Sequence, residues 1–149
     1  MKLTGEITIK APREAVFAKL RDARFFVSCI DGVHDLNEVD GQHYTAVFET
    51  KVAYMKFKFN VMVELTRIQP PDEIEAKVEG VPLGVVGRLT ARSLTRLVES
   101  GSDTKVQYES ESTLAGKLGS IGQPVLRAKA KQMEKQFAER LAAAFAAPA

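Results

Sequence analysis

Residues 112–141 read STLAGKLGSIGQPVLRAKAKQMEKQFAERL, and within them the spacing of the apolar side chains changes. Up to Leu114 they alternate, as on a strand with one covered face. From Leu126 they fall three and four apart: Leu126, Ala130, Met133, Phe137, Leu141 and then Phe145, with Arg127, Lys131 and Lys135 off that line. Such a stripe predicts an amphipathic helix of roughly five turns or more. Gly116, Gly119 and Gly122 stand between the two patterns. Their spacing fits neither G-x-G-x-x-G nor G-x-x-x-x-G-K-[ST], and an antiparallel strand precedes them rather than a βαβ unit, so a phosphate loop is excluded. Glycines one helical turn apart instead permit close backbone approach to a sheet, and Pro124 limits where regular helix can begin. The segment reads as a joint between sheet and helix, whose looseness would set how readily a guest enters.

Working back from the joint, Val33 to Leu114 has period two, broken by turn signals at VDGQ (39–42), QPPD (69–72), GVPLG (80–84) and SGSD (100–103). Strands joined this way form an antiparallel meander. In KFKFNVMVEL (56–65), Phe57, Phe59, Val61, Val63 and Leu65 share one face, while Lys56, Lys58, Asn60 and Glu64 share the other. Tyr44, Ala46, Phe48 and Val52 continue the apolar face on one side, and Ile74, Ala76 and Val78 on the other. Before the meander, Leu3 to Lys10 reads as a strand ending at Ala11-Pro12, with Pro12 suited to the first residue of a helix. Val16, Phe17 and Leu20 mark that helix's buried face. A second short helix carries Phe25, Phe26 and Ile30 and ends at Gly32. The order is strand, two short helices, six strands and a long helix. It implies an α+β fold in which a curved seven-stranded antiparallel sheet wraps around the helix.

The last two inner faces are small and hydroxylated: Leu89, Ala91, Ser93, Thr95 and Leu97, then Thr104, Val106, Tyr108, Ser110, Ser112 and Leu114. Buried hydroxyls need partners and small side chains leave volume unfilled, which suits a cavity; the alternative is a wet edge outside the helix's shadow. Outside, Arg88, Arg92 and Arg96 form a row. With a turn at SGSD, Glu109 is expected near Arg92 and Glu111 near Thr90, favouring surface salt bridges over a docking site. The tip GVPLGVVG (80–87) offers Val81, Leu83 and Val85, either to gate a cavity or touch a bilayer, or to fold back over the core.

Composition bounds the rest. At 149 residues and 16.4 kDa, with 45% hydrophobic and 27% charged residues, the chain suits one globular domain spanning 1–149. The N-terminus lacks the apolar core of a signal peptide and Cys29 is the single cysteine, so a cytoplasmic protein is expected. The net charge of +2 gives no case for nucleic acid. From Gly116 onward basic residues outnumber acidic ones, so Arg127, Lys131 and Lys135 form either a solvated helix face or a surface for an acidic partner or anionic lipid.

No catalytic set stands out. His34 and His43 lack partners at metal spacing, and no metal site is expected. Cys29 has no apparent activating group and reads as a small apolar residue. There is no G-x-S-x-G.

MKLTGEITIKAPREAVFAKLRD, the CIDG turn, LTRIQPPDEIEAKVEG and TKVQYESESTLAGKLGSIG followed by EKQFAERLAA together resemble the carbon monoxide dehydrogenase G-subunit (CoxG-like) family over essentially the whole chain. The resemblance implies the helix-grip fold of the START-like and Bet v 1-like (SRPBCC) superfamily, with an apolar ligand cavity. It also implies a non-enzymatic accessory role, helping a molybdenum CO dehydrogenase or related hydroxylase associate with the inner membrane. Family members commonly carry Ile-Pro-Gly where this chain has Ile30-Asp31-Gly32, and many continue beyond the long helix into a membrane-binding tail, whereas this sequence ends at Ala149.

Three readings follow. The first is a carrier for a lipid or quinone-like guest, walled by Phe48, Phe57, Phe59, Val61, Ile74, Leu89, Tyr108, Ser110, Ser112, Leu126, Met133 and Phe137. Its entrance would be formed by Phe26, Ile30, Val81, Leu83, Gly116, Gly119 and Gly122. The second is a cyclase- or hydrolase-like enzyme, for which Tyr108 is the one nameable candidate. The third is a pure interaction module acting through the basic helix face or the arginine row. No cofactor is expected beyond the guest itself.

Overall fold

The computed structural model describes residues 1–52 and 55–145. Strand β1 (Lys2–Ile9) is followed by helices α1 (Arg13–Arg21) and α2 (Ala23–Ser28). Strands β2 (Val33–Asp40), β3 (His43–Val52), β4 (Met55–Gln69), β5 (Glu73–Pro82), β6 (Gly87–Ser100) and β7 (Asp103–Gly116) come next. A short 3-10 turn (Lys117–Ile121) then leads into α3 (Gln123–Ala144). The sheet is antiparallel in the order β1-β7-β6-β5-β4-β3-β2, which is the meander with the first strand closed onto the last.

Local chemistry sets the boundaries. Pro12 caps α1 rather than opening it: its backbone is extended, and its carbonyl accepts from Ala15 and Val16. Asp22 separates the two short helices, because its carboxylate accepts from the backbone N–H groups of Arg24 and Phe25 and so restarts the helix in a new direction. In β4 the pairing with β5 shifts between Leu65 and Arg67, and the extra residue returns Ile68 to the inner face.

One register differs from expectation. Arg92 pairs with Glu111 and Thr90 with Thr113, two residues from the predicted pairing. Ser100 pairs with Asp103, so Gly101, at φ 64°, takes the first place of a two-residue turn. Arg96 is bridged to Glu73 of β5 at 3.2 Å. Among the described residues, no such bridge forms at Arg88 or Arg92.

The core sits at one end of the grip. Ile9, Ala11, Val16, Phe17, Leu20, Ile74, Leu97, Val106 and Leu141 form it, with Phe25, Ile68, Phe137 and Phe145 packed around them. Thr104, fully buried there, donates its hydroxyl to the Ala11 carbonyl at 2.8 Å and ties β7 to the start of α1. At the opposite end Val52, Phe59 and Leu118 are buried apart from that cluster.

Candidate functional site

Between those two ends the inner wall is not sealed. Val61 and Val63 on β4, Val78 on β5, Leu89, Ala91 and Ser93 on β6, and Tyr108, Ser110 and Ser112 on β7 are each half-buried. So are Leu126, Ala130 and Met133 on α3. A stretch of inner face that stays partly accessible is less closely packed than the core at its end. On β6 and β7 small residues, Ala91, Ser93, Ser110 and Ser112, stand where burial falls, and Leu97 and Val106 where the core is closed.

Two clefts flank α3. The larger, about 440 Å³, runs between α3 and the β1–β7 edge and is lined by Leu3, Ile7, Tyr108, Glu134 and the cations Lys2, Arg127, Lys131 and Lys135, among others. The smaller, about 210 Å³, lies between α3 and the chain around Gly32 and Glu49, with Lys129 and Met133 on its helix side. Thus Tyr108 and Met133 face the two openings, and the three predicted helix cations edge the larger one.

Tyr108 is held by a void in its neighbour. It pairs with Gly5 of β1, and a Cβ on Gly5 would overlap the tyrosine ring and hydroxyl, so only glycine lets the ring cross β1. Burial, and then the facing Glu134 carboxylate, push the phenol well above its ordinary range. Sequence reasoning named Tyr108 but missed Glu134, although Glu134 lies four residues after Ala130 and three before Phe137, on the flank of the same stripe.

The other predicted wall residues divide. Phe48 stacks on Phe59 and Phe57 packs on it at a tilt, each with ring centroids 6.1 Å apart. Phe59 is itself buried. Ile74 belongs to the closed core rather than to the open wall, because it lies near the start of β5, opposite Ile68 and Thr95. Phe137 packs against that core and against Phe26 of α2, with centroids 4.9 Å apart.

The predicted entrance divides as well. Val81 points outward in the row of Asn60, while Pro82 takes the inner position beside Phe59. Leu83, Val85 and Val86 stay exposed at the tip and do not fold back over the core. Gly116 is required twice over. It has φ 70°, and a Cβ would lie 2.7 Å from the Val86 carbonyl and the Gly87 Cα. Gly119 abuts the Leu114 carbonyl, whereas Gly122 meets open space and is favoured by its φ of 97° alone. Beside Ile30, which is half-buried, Asp31 clamps α3: Arg140 donates to it at 2.7 Å and Gln136 at 2.7 Å. Arg140, then Gln136, hold its carboxyl below the usual range.

Cys29 is buried, and burial raises its thiol pKa, which leaves it inert. His34 and His43 are exposed on the β2–β3 hairpin. Glu49 and then Asp35 raise the first imidazole, and Asp40 chiefly raises the second. Among the described residues, no cluster of metal-ligating side chains forms, and no helix is long and apolar enough to cross a membrane.

A family model for the carbon monoxide dehydrogenase G subunit (CoxG) matches residues 5–146. A conserved protein from Geobacillus kaustophilus superposes with TM-score 0.88 at 26% identity, covering 97% of this chain and 95% of that one. Protein CV1439 of Chromobacterium violaceum gives TM-score 0.72 at 15% identity over 99% and 98% of the two chains. The Zhui aromatase/cyclase of Streptomyces sp. R1128 gives 0.70 at 12% over 96% and 92%, a likeness of fold. No curated protein matches.

Proposed function

Since the chain belongs to the carbon monoxide dehydrogenase G-subunit (CoxG) family, we propose that it serves a CO dehydrogenase-type molybdenum hydroxylase as an accessory protein carrying a hydrophobic guest. The observation behind the guest is the half-buried apolar wall between two sealed ends. The guest is a lipid or a quinone-like molecule lying between Phe57, Val61, Leu89, Ser110 and Ser112 of the sheet and Leu126 and Met133 of α3. Its polar end faces the larger cleft, where the ammonium groups of Lys131 and Lys135 meet a carbonyl or hydroxyl oxygen and the Tyr108 oxygen, its proton turned to Glu134, accepts from a guest hydroxyl. Phe26, packed on Phe137, and the glycine joint at 116–122 flank the way in.

A quinone-like guest suits the partner's chemistry. CO oxidation yields electrons that must reach a membrane pool, and an apolar pocket moves their acceptor through water. Peripheral contact with the inner membrane belongs to the same reading. The test is CO-dependent reduction of quinone held in vesicles, measured with the hydroxylase alone and with this protein added. The expected result is acceleration by the protein, lost when Ser110→Leu fills the wall. Equal rates with and without the protein would remove the carrier role.

A second reading, an enzyme acting on a small hydrophobic substrate, is favoured by one observation: a half-buried, high-pKa tyrosine beside a carboxylate in a cleft. It predicts turnover abolished by Tyr108→Phe with guest binding retained.

A further inference from the structure

We propose that the end of the sheet carrying the β5–β6 connection, with the start of β4 beside it, docks on an anionic bilayer surface. The proposal rests on the membrane contact in the reading above and assigns it a place.

The surface has an apolar point and a cationic collar. Leu83, Val85 and Val86 project at the β5–β6 tip, and Val86 is 77% exposed. Met55 at the β3–β4 end and Val81 on the outer face are exposed beside them. Backbone bonds hold the tip in place: Leu83 donates to the Lys58 carbonyl at 2.8 Å, and Lys117 donates to the Val86 carbonyl at 2.9 Å. Around it stand Lys51, Lys56, Lys58 and Arg88, all exposed on the outer face, and Lys117 at the start of the 3-10 turn. The nearest carboxylates are Glu49, opposite Lys58 and already engaged by His34 Nε2 at 2.6 Å, and Glu79, opposite Thr90.

Five cations against two carboxylates give the collar a net positive field, while Leu83, Val85 and Val86 at its centre keep apolar surface in water. Water penalises that centre, and an acidic protein surface would leave it wet. An anionic membrane satisfies both, taking the valines and leucine among its acyl chains and the ammonium groups among its phosphates. Because the tip is bonded to the first residue after Gly116, docking also brings the glycine joint to the interface.

The test is flotation of the purified chain with vesicles of equal parts phosphatidylglycerol and phosphatidylcholine, compared with phosphatidylcholine alone. Binding is expected only to the anionic vesicles and is expected to weaken with salt. Combined Lys58→Glu and Arg88→Glu should lower the affinity by about twentyfold or more. Leu83→Ser with Val86→Ser should lower it by about tenfold, with unfolding midpoints unchanged because neither side chain packs on the core. Absence of binding to anionic vesicles, equal binding to both kinds, or undiminished binding by the charge-reversed variant would overturn the proposal. So would loss of dehydrogenase capture in that variant when vesicles are ignored, which would make the collar a protein interface. Guest retention, read by mass spectrometry of the same variants, separates failure of docking from failure of the carrier reading.

Discussion

The two halves of α3 carry one apolar stripe and meet different fates. In the C-terminal half, Phe137, Leu141 and Phe145 enter a core supplied by Ile9, Phe17, Leu97 and Val106, and Leu141 is wholly buried. In the N-terminal half, Leu126, Ala130 and Met133 stay half-buried, as do Ser93, Ser110 and Ser112 on the inner face of β6 and β7. The stripe alone does not decide how deeply its residues are buried. On β6 and β7 the inner face changes from Leu97 and Val106 in the closed core to Ala91, Ser93, Ser110 and Ser112 beyond it, and burial falls with that change.

The largest break in that contrast should come from truncating the stripe at each end. Leu141→Ala is expected to cost about 3 kcal/mol of unfolding free energy, and Met133→Ala about 1 or less, because only the first empties a closed site. Urea denaturation of both variants measures this, and equal losses would erase the distinction between the halves. Next in size is Gly116→Ala, expected to cost about 2 kcal/mol, since it strains a positive φ and drives a methyl into the backbone at Val86 and Gly87.

Adding volume sharpens the same contrast from the other side. Val106→Phe overfills the closed end and should cost about 2 kcal/mol, whereas Ser110→Leu in the open wall should change stability by less than about 1 while expelling the guest. Thermal melts with and without an added hydrophobic probe distinguish the two.

The smallest effects are electrostatic and lie at the surface. Asp31's pKa is depressed below its ordinary 3.8, so the clamp on α3 is present above that pH and is lost as pH falls through the lower folded value. Amide protection factors at the C-terminal part of α3, which correct for the slowing of intrinsic exchange in acid, should therefore fall as pH is lowered, and in Asp31→Asn they should already be reduced at pH 7. His34 has the opposite sign. Its pKa is raised above 6.5, so its contribution to the β2–β3 hairpin is complete below 6.5 and fades as pH rises through the folded value.

Much of this is legible in the amino-acid order. Alternation from Tyr44 to Leu114 and the three-four spacing from Leu126 are direct imprints of backbone geometry, and they carry the strand count, the helix and the inner face. The serines of β6 and β7 mark the open wall for the same reason. What escapes depends on distances that no period encodes. Glu134 reaches Tyr108 across the gap between helix and sheet, Gly5 makes room for a ring on another strand, and Arg140 returns to Asp31 from far along the chain. The β6–β7 register lies two residues from the expected one because the signal SGSD admits more than one turn centre, and Gly101 settles it through its positive φ. For Ile74 the inward direction is readable from the alternation, while its position along the grip, in the closed core rather than the open wall, is not.

The carrier claim is tested most directly by native mass spectrometry of the protein isolated under non-denaturing conditions from the cells that make it. The account predicts a 16.4 kDa chain plus one apolar molecule, released by organic solvent and missing from Ser110→Leu. A bare chain, together with a wall that takes up no hydrophobic probe, would contradict it.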